Sequence, residues 1–96
     1  MEYKLRGRVW LYPGKASWYF VNVSKKASQD IKYEFADQSR GFGSIPVEVT
    51  VGETSWETSI FPDNSGTYLL PLKVSVRKVD GIEDGKMLNY IFRVRV

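Results

Sequence analysis

The sequence predicts a mainly β fold: a small closed β-barrel of about six or seven strands with two short helices. Three observations support this fold class. The first and last segments alternate apolar and polar residues with a period of two, which is typical of half-buried strands. Two alternating segments flank a short turn in mid-chain and predict a hairpin. An order of strand, short cationic helix and strand occurs twice, about fifty residues apart, which predicts a pseudo-twofold internal repeat.

The first half of the chain predicts two strands and a helix. Residues 3–11 form the first strand, because apolar residues alternate with cations. A turn at Pro13-Gly14-Lys15 precedes residues 18–23, which are dense in aromatic and β-branched residues and predict the second strand. Ser24 can cap a short helix that follows, because apolar residues then recur at four-residue spacing. They are Ala27, Ile31 and Phe35.

The second half begins with a polar loop, residues 37–44, whose two glycines tolerate unusual backbone angles. Residues 45–51 and 55–61 predict the hairpin, and loops of two or four residues both keep its apolar set on one face. A turn over residues 62–66 leads to a short strand, residues 67–70. Pro71 suits the first turn of a helix that carries an apolar stripe and ends at Gly81. The stripe residues are Leu72, Val76 and Val79, and residues 86–96 predict the last strand after a turn at Asp84-Gly85.

Length and composition narrow the function classes. Ninety-six residues fit one domain, 1–96. The absence of Cys and His excludes disulfides, zinc sites built on those residues and catalysis by an imidazole base. We therefore expect no cofactor, no metal and no catalytic residue. The N-terminus does not read as a signal peptide and no segment is apolar enough to span a membrane, so a cytoplasmic protein without a membrane partner is expected.

Five cations are candidates for a binding face for anions or nucleic acid. Three share one face of the first strand and two share one face of the last, so neighbouring strands would gather them. They are Lys4, Arg6, Arg8, Arg93 and Arg95. The net charge of +3 permits an anionic partner without requiring one. The alternative is a solvated face, because Glu48 and Glu57 also lie on an outer face and could neutralise it.

Most aromatic residues lie at core-facing positions of the alternating pattern. Trp56, Tyr90 and Phe20 are predicted to belong to the core. Trp10 and Phe42 are the better candidates for exposure, because Trp10 shares the cationic face and Phe42 lies between two glycines. A stacking role for aromatic residues is possible in single-strand binders, but core packing is the simpler interpretation here.

Carboxylates give little support for catalysis. Glu48 and Glu57 could face each other across the hairpin. General acid–base catalysis would require them to be buried, but both lie at positions of the alternating pattern that face solvent. Ser75 and Lys78 match a four-residue hydrolase pattern without its partner motifs, so a chance match is favoured. An enzyme of unknown type that uses Glu48, Glu57 or Arg40 remains the third hypothesis.

Several segments carry a family resemblance: residues 40–44, 47–49, 56–62, 66–73, 76–78 and 81–85. They resemble a widespread family of small prokaryotic domains of unknown function. The resemblance implies a double-split β-barrel similar in fold to the swapped-hairpin DNA-binding domains of AbrB-, MazE- and MraZ-like regulators. Lys86 and Ser24 depart from the usual Asp and Pro. The motif residues are expected to be structural. They are Arg40, Gly41, Phe42, Gly43, Trp56, Thr58, Ser59, Pro62, Pro71, Arg77 and Gly85.

Three function hypotheses follow. The leading one is a non-enzymatic binding or interaction domain whose ligand is unknown. The alternative is weak nucleic-acid binding, DNA included, through the basic strand face by analogy to the AbrB-like barrels. An enzyme of unknown type is the third. Because an internal repeat would complete the barrel within one chain, we expect a monomer.

Overall fold

Six strands and two helices follow one another along the chain in the computed structural model, which describes residues 2–14 and 18–96. Lys15 of the predicted turn lies outside the described residues. The elements are β1 (Glu2–Leu11), β2 (Tyr19–Asn22), α1 (Lys25–Phe35), β3 (Ile45–Val51), β4 (Thr54–Pro62), β5 (Tyr68–Leu72), α2 (Val74–Asp80) and β6 (Met87–Val94). All strand pairs are antiparallel, and the barrel closes in the order β1-β2-β5-β4-β3-β6. The predicted mainly β barrel is confirmed, with six strands.

Strands β1 and β4 each serve two sheets. Residues 2–8 of β1 pair with β6, and its last three residues pair with β2. Residues 54–60 of β4 pair with β3, and Phe61 and Pro62 pair with β5. Exchanging β1 with β4, β2 with β5 and β3 with β6 leaves the cyclic strand order unchanged. The topology therefore has the pseudo-twofold repeat that the sequence predicts.

Alternation along the strands fills the barrel with apolar side chains. The fully buried ones include Val9, Val21, Ile45, Val49, Ile60, Leu70 and Phe92. Helix α1 contributes Ile31 to this core, and Ser24 caps the helix by accepting the Ala27 N–H at 3.2 Å. The buried Ser28 hydroxyl donates to Val23 O and accepts the Tyr68 N–H, which ties α1 to strands β2 and β5. The predicted cap and first helix are confirmed.

The mid-chain hairpin has the shorter of the two loops left open by the sequence. Val51 pairs with Thr54, so Gly52 and Glu53 form a two-residue turn. Gly52 has φ +58, a left-handed conformation that glycine adopts without steric cost. In this register Glu48 lies directly opposite Glu57 on the outer face.

The second helix begins later than predicted, because Pro71 belongs to β5 and lies opposite Phe20. Val23 N–H donates to Tyr68 O, so ladder alternation makes Phe20–Pro71 a pair without hydrogen bonds. The β4–β5 ladder also ends before Pro71, so the missing N–H of proline leaves no partner unsatisfied. Of the predicted stripe, Val76 is buried, Leu72 lies in β5 and Val79 is 73% exposed. Gly81 ends the helix in a left-handed conformation, as predicted.

Neither helix could serve as a membrane span. Helix α1 has 11 residues and α2 has seven. No helix in the described part of the chain combines the length and apolarity needed to cross a bilayer.

Candidate functional site

The structure places the predicted basic residues on neighbouring strands. Strand β1 pairs with β6, with Lys4 opposite Ile91 and Arg6 opposite Asn89. Two of the five cations are paired with carboxylates, as the alternative interpretation predicts. Arg93 Nη2 lies 2.6 Å from Glu48 Oε1 and Arg95 Nη1 lies 3.9 Å from Glu57 Oε2.

The other three cations form a row on the outer face of β1, which we call the cationic row: Lys4, Arg6 and Arg8. All three are exposed, and no ion pair to them is found among residues 2–14 and 18–96. Arg8 Nη1 donates to Gly85 O at 2.9 Å, a neutral acceptor that leaves the positive charge uncompensated. Lys4 and Arg6 line a shallow depression of about 610 Å³ that is also bordered by Thr50 and Asn89.

The cationic row continues along the chain into an aromatic cluster, defined here as Trp10, Tyr12, Trp18 and Phe20. Trp10 pairs with Phe20 across β1 and β2, and Tyr12 N–H donates to Trp18 O just beyond the strand ends. Ring centroids lie 5.3 Å apart for Trp10 and Phe20 and 6.0 Å apart for Tyr12 and Trp18. The cluster is therefore a continuous patch on the outer surface of the barrel.

Phe20 corrects the sequence-based assignment, which placed it in the core. Val21 and Val23 occupy the inward positions around β2 and are fully buried, so alternation turns Phe20 outward. Apolar residues occur on both faces of β2, so hydrophobic periodicity alone does not distinguish the faces. Tyr90 is buried as predicted, and Trp56 is half-buried against the core. Trp10 is partly exposed and Phe42 is 96% exposed, in line with the expectation for both.

Beside the aromatic cluster lies an apolar groove of about 640 Å³ over strands β2, β5 and β4. Its walls include Trp18, Phe20, Phe61, Leu69, Pro71 and Val74, and Lys73 stands at its edge. Trp18 is 54% exposed and Val74 is 46% exposed, so apolar side chains face solvent across the whole groove. Concave surfaces with mainly apolar walls are typical of ligand sites.

Hydrogen bonds fix the centre of the cluster. Trp10 Nε1 donates to Asn22 Oδ1 at 2.6 Å, and Asn22 Nδ2 donates to Thr67 Oγ1 at 2.9 Å. Because the Asn22 amide has one fixed donor and one fixed acceptor, the Trp10 ring is held in one orientation. The indole is thus positioned before any ligand arrives.

Arg77, on α2, contacts Tyr19, one of the residues that line the groove. Its guanidinium carbon is 3.9 Å from the centre of the Tyr19 ring, and its Nε donates to Leu72 O at 3.3 Å. These contacts tie α2 to strands β2 and β5. They also place a permanent positive charge close to the groove.

Other motif residues shape two turns. Phe42 has φ +61, a conformation that is rare for a bulky residue, in a loop closed by a hydrogen bond from the Arg40 N–H to Ser44 O at 2.8 Å. A Cβ on Gly43 would lie 3.1 Å from Pro62 Cγ, whereas one on Gly41 would meet open space. Gly85, with φ +86, donates its N–H to Val9 O at 2.7 Å and anchors the turn before β6.

The remaining motif residues lie in the β3–β4 hairpin and at its end. Thr58 pairs with Val47 and Ser59 pairs with Pro46. Pro62 ends β4 opposite Tyr68. These positions place Thr58 and Ser59 within the sheet, away from the aromatic groove.

The candidate catalytic residues lie apart from the groove. Glu48 and Glu57 face each other across the hairpin, and each is paired with an arginine on the open outer face. The Glu57 side chain is 69% exposed. Arg40 is exposed beside the Phe42 loop. The chemistry that the structure shows at Glu48 and Glu57 is ion pairing.

A family model described as a domain of unknown function, DUF1905, matches residues 6–90. The chain belongs to the DUF1905 family. This match confirms the predicted resemblance to a family of domains of unknown function, and its span includes the aromatic cluster and every residue of the groove. No curated protein matches the sequence of this DUF1905 domain.

Proposed function

We propose that this DUF1905 domain is a non-enzymatic binding module whose ligand lies in the apolar groove beside the aromatic cluster. The observation that carries the proposal is the outward orientation of Trp18, Phe20 and Phe61 around a cavity of about 640 Å³. The barrel core is already filled by other residues, so folding does not require these side chains to be apolar. A ligand that covers them provides the physical reason.

The chemistry of the groove favours a flat or extended apolar ligand. An aromatic side chain can bury roughly 150–250 Å² and contributes strongly when a partner removes it from water. The groove walls offer ring faces and aliphatic surface, while Lys73 supplies a positive charge among the lining residues. A ligand with flat rings and negative groups at its edge would match both features.

The basic face offers fewer cations for nucleic-acid binding than the sequence predicts. Arg93 and Arg95 are paired with glutamates, which leaves Lys4, Arg6 and Arg8 as the available cations. The similarity to AbrB-like regulators remains an analogy of fold and does not by itself assign DNA binding. Closure of all six strands within one chain supports a monomeric binding module.

The proposal can be tested through the three indole N–H groups of the protein. Trp10 and Trp18 belong to the aromatic cluster, whereas Trp56 packs against the core on another strand. In a ¹⁵N-resolved NMR titration with 2-naphthol, a flat uncharged probe, we expect saturable shifts of the Trp10 and Trp18 signals and an unmoved Trp56 signal. Equal shifts of all three signals, or shifts that never saturate, would contradict a defined groove site.

Two variants match this measurement. Trp18→Ala should abolish saturable binding of the probe. Tyr33→Ala removes an aromatic residue that is 88% exposed on α1, away from the groove, and should leave binding unchanged. If both variants weaken binding equally, the probe is recognising exposed aromatic residues in general.

A further inference from the structure

We propose that the ligand of the groove is a single-stranded nucleic acid, with phosphates along the cationic row and bases stacked on the aromatic cluster. This inference rests on the proposed function, because it names the ligand class of the same site. It combines two features that lie on one strand face: Lys4, Arg6 and Arg8, followed by Trp10. Positive charge beside aromatic rings is the arrangement by which proteins hold single strands without reading their sequence.

Strand geometry brings the two features into line. Alternate residues of a β-strand lie on the same face about 6.7 Å apart, so the row from Lys4 to Trp10 extends over roughly 20 Å. Tyr12 continues the same alternation past the end of β1 and contacts Trp10 and Trp18. A single strand lying along β1 would meet cations first and aromatic rings next.

The charges along this path are available to phosphates. Lys4 and Arg6 have no ion pair within the described part of the chain, and Arg8 bonds to a neutral carbonyl. Lys73, among the residues that line the groove, adds positive charge there. Asp84 lies at the end of β1, where its carboxylate accepts the Leu11 N–H at 3.1 Å. Glu2 precedes Lys4 on the same exposed face of β1. The three cations of the cationic row outnumber these two carboxylates.

The rings of the cluster are arranged so that they do not stack on one another. Their contacts are tilted or edge-on, with interplanar angles from 36° for Trp10–Tyr12 to 81° for Trp18–Phe20. The edge contact between Tyr12 and Phe20, with an interplanar angle of 73°, covers one ring face at most and leaves the other to a flat group, and every base has such a face. A duplex keeps its base faces inside the helix, so this geometry favours a single strand.

The test is a fluorescence anisotropy titration with a labelled single-stranded DNA 12-mer and the matching duplex. Three phosphate contacts to a single strand predict a slope of about −2 in log affinity against log salt. Between about 20 mM and about 200 mM salt, the affinity for the single strand should therefore fall about 100-fold. Duplex binding as tight as single-strand binding at both salt concentrations would overturn the inference.

Paired variants separate charge from stacking. Arg6→Ala should change the slope from about −2 to about −1.4, while Lys32→Ala, an exposed cation on α1, should not change it. Trp18→Ala should weaken binding about 5- to 100-fold without changing the slope, and Trp18→Phe should restore much of the loss. Tyr33→Ala is the aromatic control. Unchanged affinity in Trp18→Ala would overturn the stacking role.

The probe experiment distinguishes the two levels of the proposal. If 2-naphthol shifts Trp10 and Trp18 but single-stranded DNA and RNA do not bind at about 20 mM salt, the groove binds another ligand and this inference is wrong. If neither the probe nor nucleic acid binds, the proposed function fails as well. Binding of both, with loss of both in Trp18→Ala, supports both.

Discussion

The outer face of the barrel differs sharply between its two sheets. Around β6, β3 and the first part of β4, charged residues pair with each other, as Arg93 does with Glu48. Around β2, β5 and the end of β4, aromatic and aliphatic side chains face solvent over a groove of about 640 Å³. Arg93 and Arg95 on the charged face are paired with carboxylates, whereas Trp18, Phe61 and Val74 on the aromatic face are exposed. This difference supports the groove as the place of the proposed ligand.

Gly7 lies near the point where β1 changes its pairing from β6 to β2. Its replacement should give the largest loss of stability. A Cβ at this position would be 2.7 Å from the fully buried Val21 Cγ1. Gly7→Val should lower the free energy of unfolding by about 1–3 kcal/mol or more, because the packed core cannot accept the added groups. Urea denaturation measures the change.

Gly41→Ala is the matched control for Gly7→Val. A Cβ at Gly41 meets no atom within 4 Å, so the stability should change by less than about 0.5 kcal/mol. Equal effects of the two substitutions would show that Gly7 is not the tight point of the barrel.

Asn22→Ala should lower the stability of the protein and loosen the Trp10 ring in the aromatic cluster. The substitution leaves the Trp10 indole N–H without its acceptor at 2.6 Å and Thr67 without its donor. We expect a loss of about 1–2 kcal/mol in unfolding free energy and a broadened Trp10 indole signal in NMR spectra. Asn22→Asp, which keeps an acceptor for Trp10, should preserve the sharp signal. A sharp Trp10 signal in Asn22→Ala would mean that ring packing alone orients the indole.

Tyr90 lies in β6 and points into the core beneath the charged face. Its hydroxyl is buried and has no hydrogen-bond partner among the described residues, and burial raises its pKa well above the usual value of 10.0. Tyr90→Phe should therefore stabilise the protein at neutral pH by about 1 kcal/mol. Thermal denaturation at pH 7 checks this expectation, with Tyr33→Phe on the surface as control.

Tyr90→Phe should also change how the free energy of unfolding depends on pH in the alkaline range. Above pH 10 the unfolded chain releases the Tyr90 proton while the folded protein retains it, so stability falls as pH rises. Tyr90→Phe removes that contribution, and the loss of stability between about pH 9.5 and 11 should be shallower than in the native protein. Identical alkaline limbs would show that Tyr90 does not contribute.

Glu48→Gln should give the smallest change in stability. The Arg93–Glu48 pair is solvent-accessible, with side chains 54% and 32% exposed, and such pairs contribute about 0.2–1 kcal/mol. The substitution also leaves Arg93 unpaired, so it should bring the charged face closer to the basic face expected from the sequence. Nucleic-acid affinity at about 20 mM salt should rise, and the double variant Glu48→Gln/Arg93→Gln should cancel that rise. An unchanged affinity would place Arg93 outside any path for a nucleic acid.

Much of the fold was predictable because local patterns and tertiary contacts agree. The alternating first and last strands, the Ser24 cap and the hairpin all read directly from the sequence. Pro71 was misassigned because proline suits both a helix start and a strand position without hydrogen bonds, and only the β2–β5 register decides between them.

The candidate site was only partly predictable. The cationic row follows from alternation, but its glutamate-paired neighbours become known only when β3 is placed beside β6. Apolar residues occupy both faces of β2, so the alternation of the sequence does not show that Phe20 faces outward. The sequence therefore predicts a core position for Phe20 and does not predict the groove. The polar Asn22, at the same parity as Phe20, was the one sequence feature that could have indicated an outward face.

The strand order has a consequence for how the molecule can come apart. Only β1–β2 and β4–β5 pair within one half of the repeat, while the other four of the six pairings join the first half to the second. Fragments cut at the Gly52-Glu53 turn would each lack most of their hydrogen-bonding neighbours and would depend on each other for structure. The domain is therefore suited to a two-fragment complementation assay, in which a folded barrel forms only when both fragments associate.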